Sequence, residues 1–303
     1  MKRSIQIFAV SALAAGIAAC GGSSDGGTST GSVSVGLTDA PIDNAEAVNI
    51  EVEALVLQSS DGDRLRYEFD FPQPLNLLEL QGGAVEALIQ DEEVPAGEYN
   101  WMRLELGDNN SIEVDTGAVI ESFKLITPSK RGVQTSGFIV PAGGEVALTI
   151  DFDVRKSIVN PQNNPDVYKL KPVVRLVDNA NVGTIKGTVT ANLITQECGD
   201  TATTTGFIGN VYIHQGDVEP GELGSDNPPL TIAPLKADGE YTFTAAFLPA
   251  GTYTVSYTCD DDLIETDDGE PIIDGVTFTD AQPVSVEAKP EPTFVELDTL
   301  ASQ

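Results

Sequence analysis

The chain of 303 residues carries 47 Asp and Glu against 16 Lys and Arg, a formal net charge of −31, with a single His and 41% hydrophobic residues. Such a surface repels nucleic acid and anionic head groups, and no basic stripe offsets it, which excludes nucleic-acid binding. One His rules out a zinc site of two or three imidazoles; His-Glu-x-x-His, a Gly-x-Ser-x-Gly elbow, a phosphate-binding glycine loop and a dinucleotide fingerprint are all absent.

Lys2 and Arg3 precede an apolar stretch from Ile5 to Ala19, too short to span a bilayer, which needs about 20 residues. Residues 1–19 therefore read as a signal peptide. Its end, Ile17-Ala18-Ala19-Cys20, is similar to the bacterial lipobox, which predicts cleavage before Cys20 and lipid on its sulfur. The lipobox resemblance also implies sorting by the next residue, and Gly21 in place of the Asp that retains such proteins in the inner membrane gives the outer membrane as the expectation. Residues 20–31 are almost wholly Gly, Ser, Thr and Asp after Cys20, a flexible linker between lipid and folded body.

The remaining roughly 270 residues fit two domains by length. Short alternating segments between Gly, Pro, Asn and Asp predict a mainly β fold of two antiparallel β-sandwiches, Ig-like or transthyretin-like, at 32–178 and 183–303. Val48, Ile50, Val52, Ala54 and Val56 predict one buried strand face. Brief helix is expected at Leu75 to Leu80 and Ala84 to Asp91. Val146, Leu148, Ile150, Phe152 and Val154 predict a second half-buried strand, with Thr149, Asp151, Asp153 and Arg155 outward. Past Asp178 to Val182, strands are expected at 183–190, 211–214, 241–247, 252–259, 276–279, 284–288 and 293–297. Val94-Pro-Ala-Gly-Glu-Tyr99 and Leu248-Pro-Ala-Gly-Thr-Tyr253 repeat one turn device in both halves, with Tyr beginning the returning strand against the core.

Several residues are candidates for chemistry. Asp151 and Asp153 at i, i+2 lie about 6.6 Å apart on one strand face, a spacing that permits carboxylate-dependent glycan hydrolysis but also fits a solvated face balanced by Arg155 and Lys156. Asp39 is expected to close an Asx-turn before Pro41, and Asp61 and Asp63 to flank a hairpin turn at Gly62. Asp260, Asp261, Asp262, Asp267 and Asp268 form the richest acidic cluster and the candidate calcium site, without the order of an EF-hand loop. Lys124, Lys130 and Arg131 invert the local charge around Thr127-Pro-Ser129, a candidate docking loop for an anionic glycan, with Tyr99 and Trp101 as a possible stacking platform or core. His214 is expected to be structural or at the surface. Cys198 and Cys259, the pair left after processing, are expected to form a disulfide in an oxidising envelope.

Residues from about 32 to 177 resemble a large family of bacterial lipoprotein domains, the domain of unknown function 4382. The resemblance rests on Leu37-Thr-Asp-Ala-Pro41, Leu75-Asn-Leu-Leu78, Pro95-Ala-Gly-Glu-Tyr99 running into Met102-Arg-Leu104, Thr127-Pro-Ser129, Asp151-Phe-Asp153 with Lys156-Ser-Ile158, and Leu170-Lys-Pro-Val-Val-Arg175. It implies an envelope location and a β-rich fold and brings no catalytic residues. From about Gly183 the chain is similar to carboxypeptidase-regulatory or transthyretin-like sandwiches, through Gly183-Thr-Ile-Lys-Gly-Thr-Val189, Asp238-Gly-Glu-Tyr-Thr-Phe243 and Leu248-Pro-Ala-Gly-Thr-Tyr253. The expectation is a lipid-anchored, non-enzymatic binding or structural module with a glycan or protein partner and no required cofactor. A glycan hydrolase and a calcium-stabilised adhesin are the alternatives.

Overall fold

A computed structural model describes residues 29–40, 45–115, 118–127, 132–160, 167–199, 207–237, 239–260, 262 and 275–298. Cys20 and the rest of the expected leader and linker through residue 28 lie outside the described residues, as do Lys130, Arg131, Asp261, Asp267 and Asp268.

The first half contains β1 (Thr30–Ala40), β2 (Ala45–Ser59), β3 (Arg64–Asn76), β4 (Glu86–Pro95), β5 (Gly97–Leu106), β6 (Ser111–Asp115), β7 (Ile120–Ile126), β8 (Val133–Gln134), β9 (Phe138–Val140), β10 (Glu145–Asp153), β11 (Ile158–Val159), β12 (Tyr168–Leu170) and β13 (Val174–Asp178). These make a four-stranded sheet, β13-β10-β1-β4, and a nine-stranded one, β11-β12-β7-β6-β2-β5-β8, to which β3 adds on β2 and β9 on β5. The second half contains β14 (Val182–Val189), β15 (Asn210–Gln215), β16 (Thr231–Pro234), β17 (Thr242–Pro249), β18 (Gly251–Thr258), β19 (Gln282–Val286) and β20 (Thr293–Leu297), paired as β17-β14-β20 and β16-β15-β18-β19. The molecule is mainly β and sandwich-like. Most ladders are antiparallel, as expected of such sandwiches, while β1 runs parallel to β10, β7 to β12 and β14 to β20.

Buried apolar side chains gather in two large clusters. One, with Val33, Ile50, Leu104, Ile150 and Phe152, draws only on residues 33–170. The other, with Ile185, Val211, Phe243, Val255 and Leu297, draws only on 185–297. Among the described residues no helix is long and apolar enough to cross a membrane.

In β2 the expected alternation holds for Val48, Ile50 and Val52, then reverses. Both neighbouring ladders shift register between Val52 and Ala54, a β-bulge that hands the core face to Leu55 and Leu57 and moves Ala54 and Val56 to the other side. Leu77–Leu80 is a 3₁₀ turn capped by Asn76, whose side chain accepts from Leu78 N. Ala84 to Asp91 is not helix. Most of it is β4, an outer strand whose two register shifts against β1 leave only Ile89 and Val94 buried and blur the period of two. In the second half residues 276–279 form no strand, β16 was not expected, and an eight-residue helix, α1 (Ala191–Cys198), starts where the Thr190 hydroxyl accepts from Leu193 N.

Candidate functional site

The two carboxylates with catalytic spacing sit at the end of β10. The β10–β13 ladder sets Arg175 opposite Asp151, and its Nε lies 2.5 Å from Asp151 Oδ2. Asp153 pairs with Lys156 at 3.0 Å, while its other oxygen accepts from Lys156 N at 3.1 Å and caps the short turn Val154–Ser157. Arg155, expected outside, is buried, and the cation on Asp151 comes instead from 24 residues away. Burial pushes the Asp151 carboxyl upward against the pull of Arg175. The space beside Asp39 and Asp151 is only about 20 Å³, closed by Ile232 and Phe247 of the second half. That is room for a water at most and not for a sugar ring. Asp39 reaches the same end of the sheet. Its Oδ1 accepts from Val154 N at 3.2 Å, a bond spanning 115 residues, while the residues that would close the expected Asx-turn before Pro41 lie outside the described ones.

Across this junction Lys156 Nζ donates to the Pro229 carbonyl at 3.0 Å. Beyond it stand three buried polar groups of the second half. Asp262 takes Leu223 N on both carboxylate oxygens, at 3.3 and 3.1 Å, and Glu222 takes Gly275 N in the same way. His214 is fully buried on β15. Its Nε2 lies 2.7 Å from the Gly221 carbonyl and its Nδ1 has no hydrogen-bond partner, so a second ring proton would be unsatisfied. Desolvation lowers the imidazole pKa, and Lys156 adds to that effect.

Of the candidate calcium ligands only Asp260 and Asp262 are among the described residues, and they have different partners. Asp260 is exposed and accepts from Thr277 N at 2.8 Å, whereas Asp262 is buried in the contacts above. Among the described residues no three metal-ligating side chains gather. Lys124 is exposed on β7. Asp61 and Asp63 do flank a hairpin turn: Ser59 N bonds to Asp63 O, and Gly62 has φ +99°.

Tyr99 is not a platform: it is 1% exposed and stacks on Phe138 with ring centroids 4.8 Å apart. Trp101, two residues on, is half-buried on the opposite sheet face, where the Arg103 guanidinium lies 4.2 Å and that of Arg64 5.5 Å from its ring centroid. Cys198 and Cys259 are joined by a disulfide that ties α1 to the residue after β18. The Tyr257 hydroxyl lies 3.0 Å from Cys198 Sγ and donates to the Ile208 carbonyl at 2.7 Å.

Comparison with known proteins bears on the first half. Residues 30–172 match the family model of a domain of unknown function, DUF4382. This DUF4382 stretch is the one whose motifs carry the resemblance at 32–177, and it holds the whole of the first core, from Val33 to Leu170. No curated protein matches the chain. Among solved structures the chain is similar to the Bacillus anthracis TIE protein at 13% identity and TM-score 0.20, covering 91% of this chain and 35% of that one. It is similar to BcpA, the major pilin subunit of Bacillus cereus, at 11% identity and TM-score 0.21, covering 90% and 100%. A putative adhesin from Bacteroides ovatus shows 11% identity and TM-score 0.21 over 95% and 99%. The chain thus spans about a third of the TIE protein's length and nearly all of the other two.

Proposed function

We propose that this protein is a lipid-anchored component of the bacterial cell envelope, held to the outer membrane through Cys20, whose two β domains bind or brace envelope partners rather than catalyse a reaction. The DUF4382 domain would carry the recognition surface. The second domain, of carboxypeptidase-regulatory type, would act as its stapled support. One observation carries the reading: Asp151 and Asp153, which have the spacing of a glycosidase pair, are each consumed by a cation, and the space beside Asp151, lined in part by the second half, is only about 20 Å³. An inverting or retaining hydrolase needs two acids facing an open cleft that admits a sugar ring.

The test has two readouts on the full chain expressed in a Gram-negative host. The native protein is expected in the outer-membrane fraction, with a Cys20→Ala variant released from it. The purified native chain is expected to be retained saturably by peptidoglycan or by members of a glycan array. Unchanged membrane retention of the variant would overturn the anchor. Failure to bind any polymer or envelope protein would overturn the binding reading.

A further inference from the structure

In a chain where acids outnumber Lys and Arg by 47 to 16, a guanidinium with no carboxylate partner is the exception. Two such guanidiniums meet at one place. Strand β2 lies between β3 and β5, so Gln58 stands opposite both Arg64 and Trp101, and Val56 opposite both Arg66 and Arg103. Because side chains alternate along a strand, these residues share one face of the large sheet, the face away from the Leu55, Leu57 and Met102 core.

Arg66 on this face is neutralised by Glu68 and Glu105. Arg64 and Arg103 make no ion pair among the described residues. Arg64 Nε donates to Gln58 Oε1 at 2.7 Å, and Gln58 is itself buried and fixed by bonds to the Ser59 and Asp63 carbonyls. Arg103 Nη2 donates to Gln134 Oε1 at 2.7 Å. Both guanidiniums lie over the Trp101 ring. Amide and indole partners hold the two cations in place without discharging them, and an oriented guanidinium presents paired N–H donors matched to an oxyanion.

We propose that Arg64 and Arg103, held on Trp101, form a binding site for the carboxylates of an acidic glycan. The net charge of −31 selects among such glycans, since a densely charged polyanion is repelled by the rest of the surface while widely spaced carboxylates reach the two arginines at small cost. This inference rests on the binding reading above.

Trp101 is the only tryptophan in the chain, so its emission reports on this site alone. The full chain is titrated with partly methyl-esterified polygalacturonate, neutral dextran and dextran sulfate. A saturable change in emission is expected with the first, weakening as salt is raised, with none from dextran and a smaller response from dextran sulfate. Arg64→Gln/Arg103→Gln is expected to lower affinity by about tenfold or more, the loss that goes with removing charged hydrogen bonds. Arg66→Gln, whose charge is already paired, is expected to bind as the native chain does, with circular dichroism confirming that each variant is folded. No emission change with polygalacturonate, or an unchanged affinity in the double variant, overturns the site. If the native chain and the double variant are retained equally by an envelope polymer, this site falls and the binding reading stands; if neither is retained by any partner, that reading falls too.

Discussion

The Tyr253 hydroxyl donates to the Pro249 carbonyl at 2.6 Å, closing a loop four residues long over the turn that joins β17 to β18. Tyr99 repeats the bond to Pro95 at 2.9 Å between β4 and β5. Both rings are 1% exposed and belong to different cores, so the repeated Pro-Ala-Gly-x-Tyr segment is one device used once in each half. It anchors a chain reversal to the core much as a tyrosine corner does. Tyr→Phe at either position is expected to cost about 1 kcal/mol, a hydrogen bond lost and a carbonyl left unpaired. Because the clusters are separate, the double variant should show roughly additive losses in a denaturant titration.

The disulfide closes 61 residues of the second half, which in the chain-entropy model stabilises by about 4 kcal/mol. Reduction, or Cys198→Ala/Cys259→Ala, is expected to lower the denaturation midpoint of the second core while leaving the first unchanged. Hydrogen exchange of the β15 and β18 backbone amides follows the former, and Trp101 emission follows the latter.

His214 gives the fold a defined response to acid. Its pKa is depressed by burial, so its contribution to stability is complete above the unfolded value of about 6.5 and is lost as pH falls through the lower folded value. Asp151 and Asp262, pushed upward by burial, act in the opposite sense: their cost is greatest at neutral pH and is relieved as they protonate. Melting temperature measured between pH 7 and 5 should fall for the native protein and fall less steeply for His214→Asn.

Arg175 and Asp151 should respond unequally to truncation. Arg175→Leu leaves a mostly buried carboxylate without its cation and is expected to cost about 2 kcal/mol at pH 7. This lies below the roughly 3–5 kcal/mol of full burial because Arg175 is 26% exposed. Asp151→Asn removes the desolvation cost along with the attraction and should cost about 1 kcal/mol or less. Lowering the pH toward the carboxylate range should close the gap between the two variants, because protonation of Asp151 does in the first what the amide does in the second.

The sequence displays local periodicity and hides what partners at a distance decide. Val48, Ile50 and Val52 alternate as read, but the reversal at Leu55 is made by a bulge against β3 and β5 that no pattern within β2 encodes. Ala84 to Asp91 reads as helix because β4 buries so few side chains that a period of two does not emerge. The helix at Ala191–Cys198 had a legible signal in its capping Thr190, missed because the cap opens no apolar run. At the site, the spacing of Asp151 and Asp153 was legible and their fate was not. Arg175 reaches Asp151 through strand pairing, and the cover over Asp151 comes in part from the second half. The Arg64, Trp101 and Arg103 cluster was missed for the same reason, since 39 residues of chain separate its two arginines.

On the proposed reading, the carboxylates of the junction build structure and the molecule binds without cutting. The most direct test incubates the full chain with each polymer it retains and measures the polymer's length distribution by size-exclusion chromatography. The expected result is a protein–polymer complex with the recovered polymer unchanged in length. Progressive shortening of the polymer, abolished in Asp151→Asn or Asp153→Asn, would contradict the account and make the junction an active site.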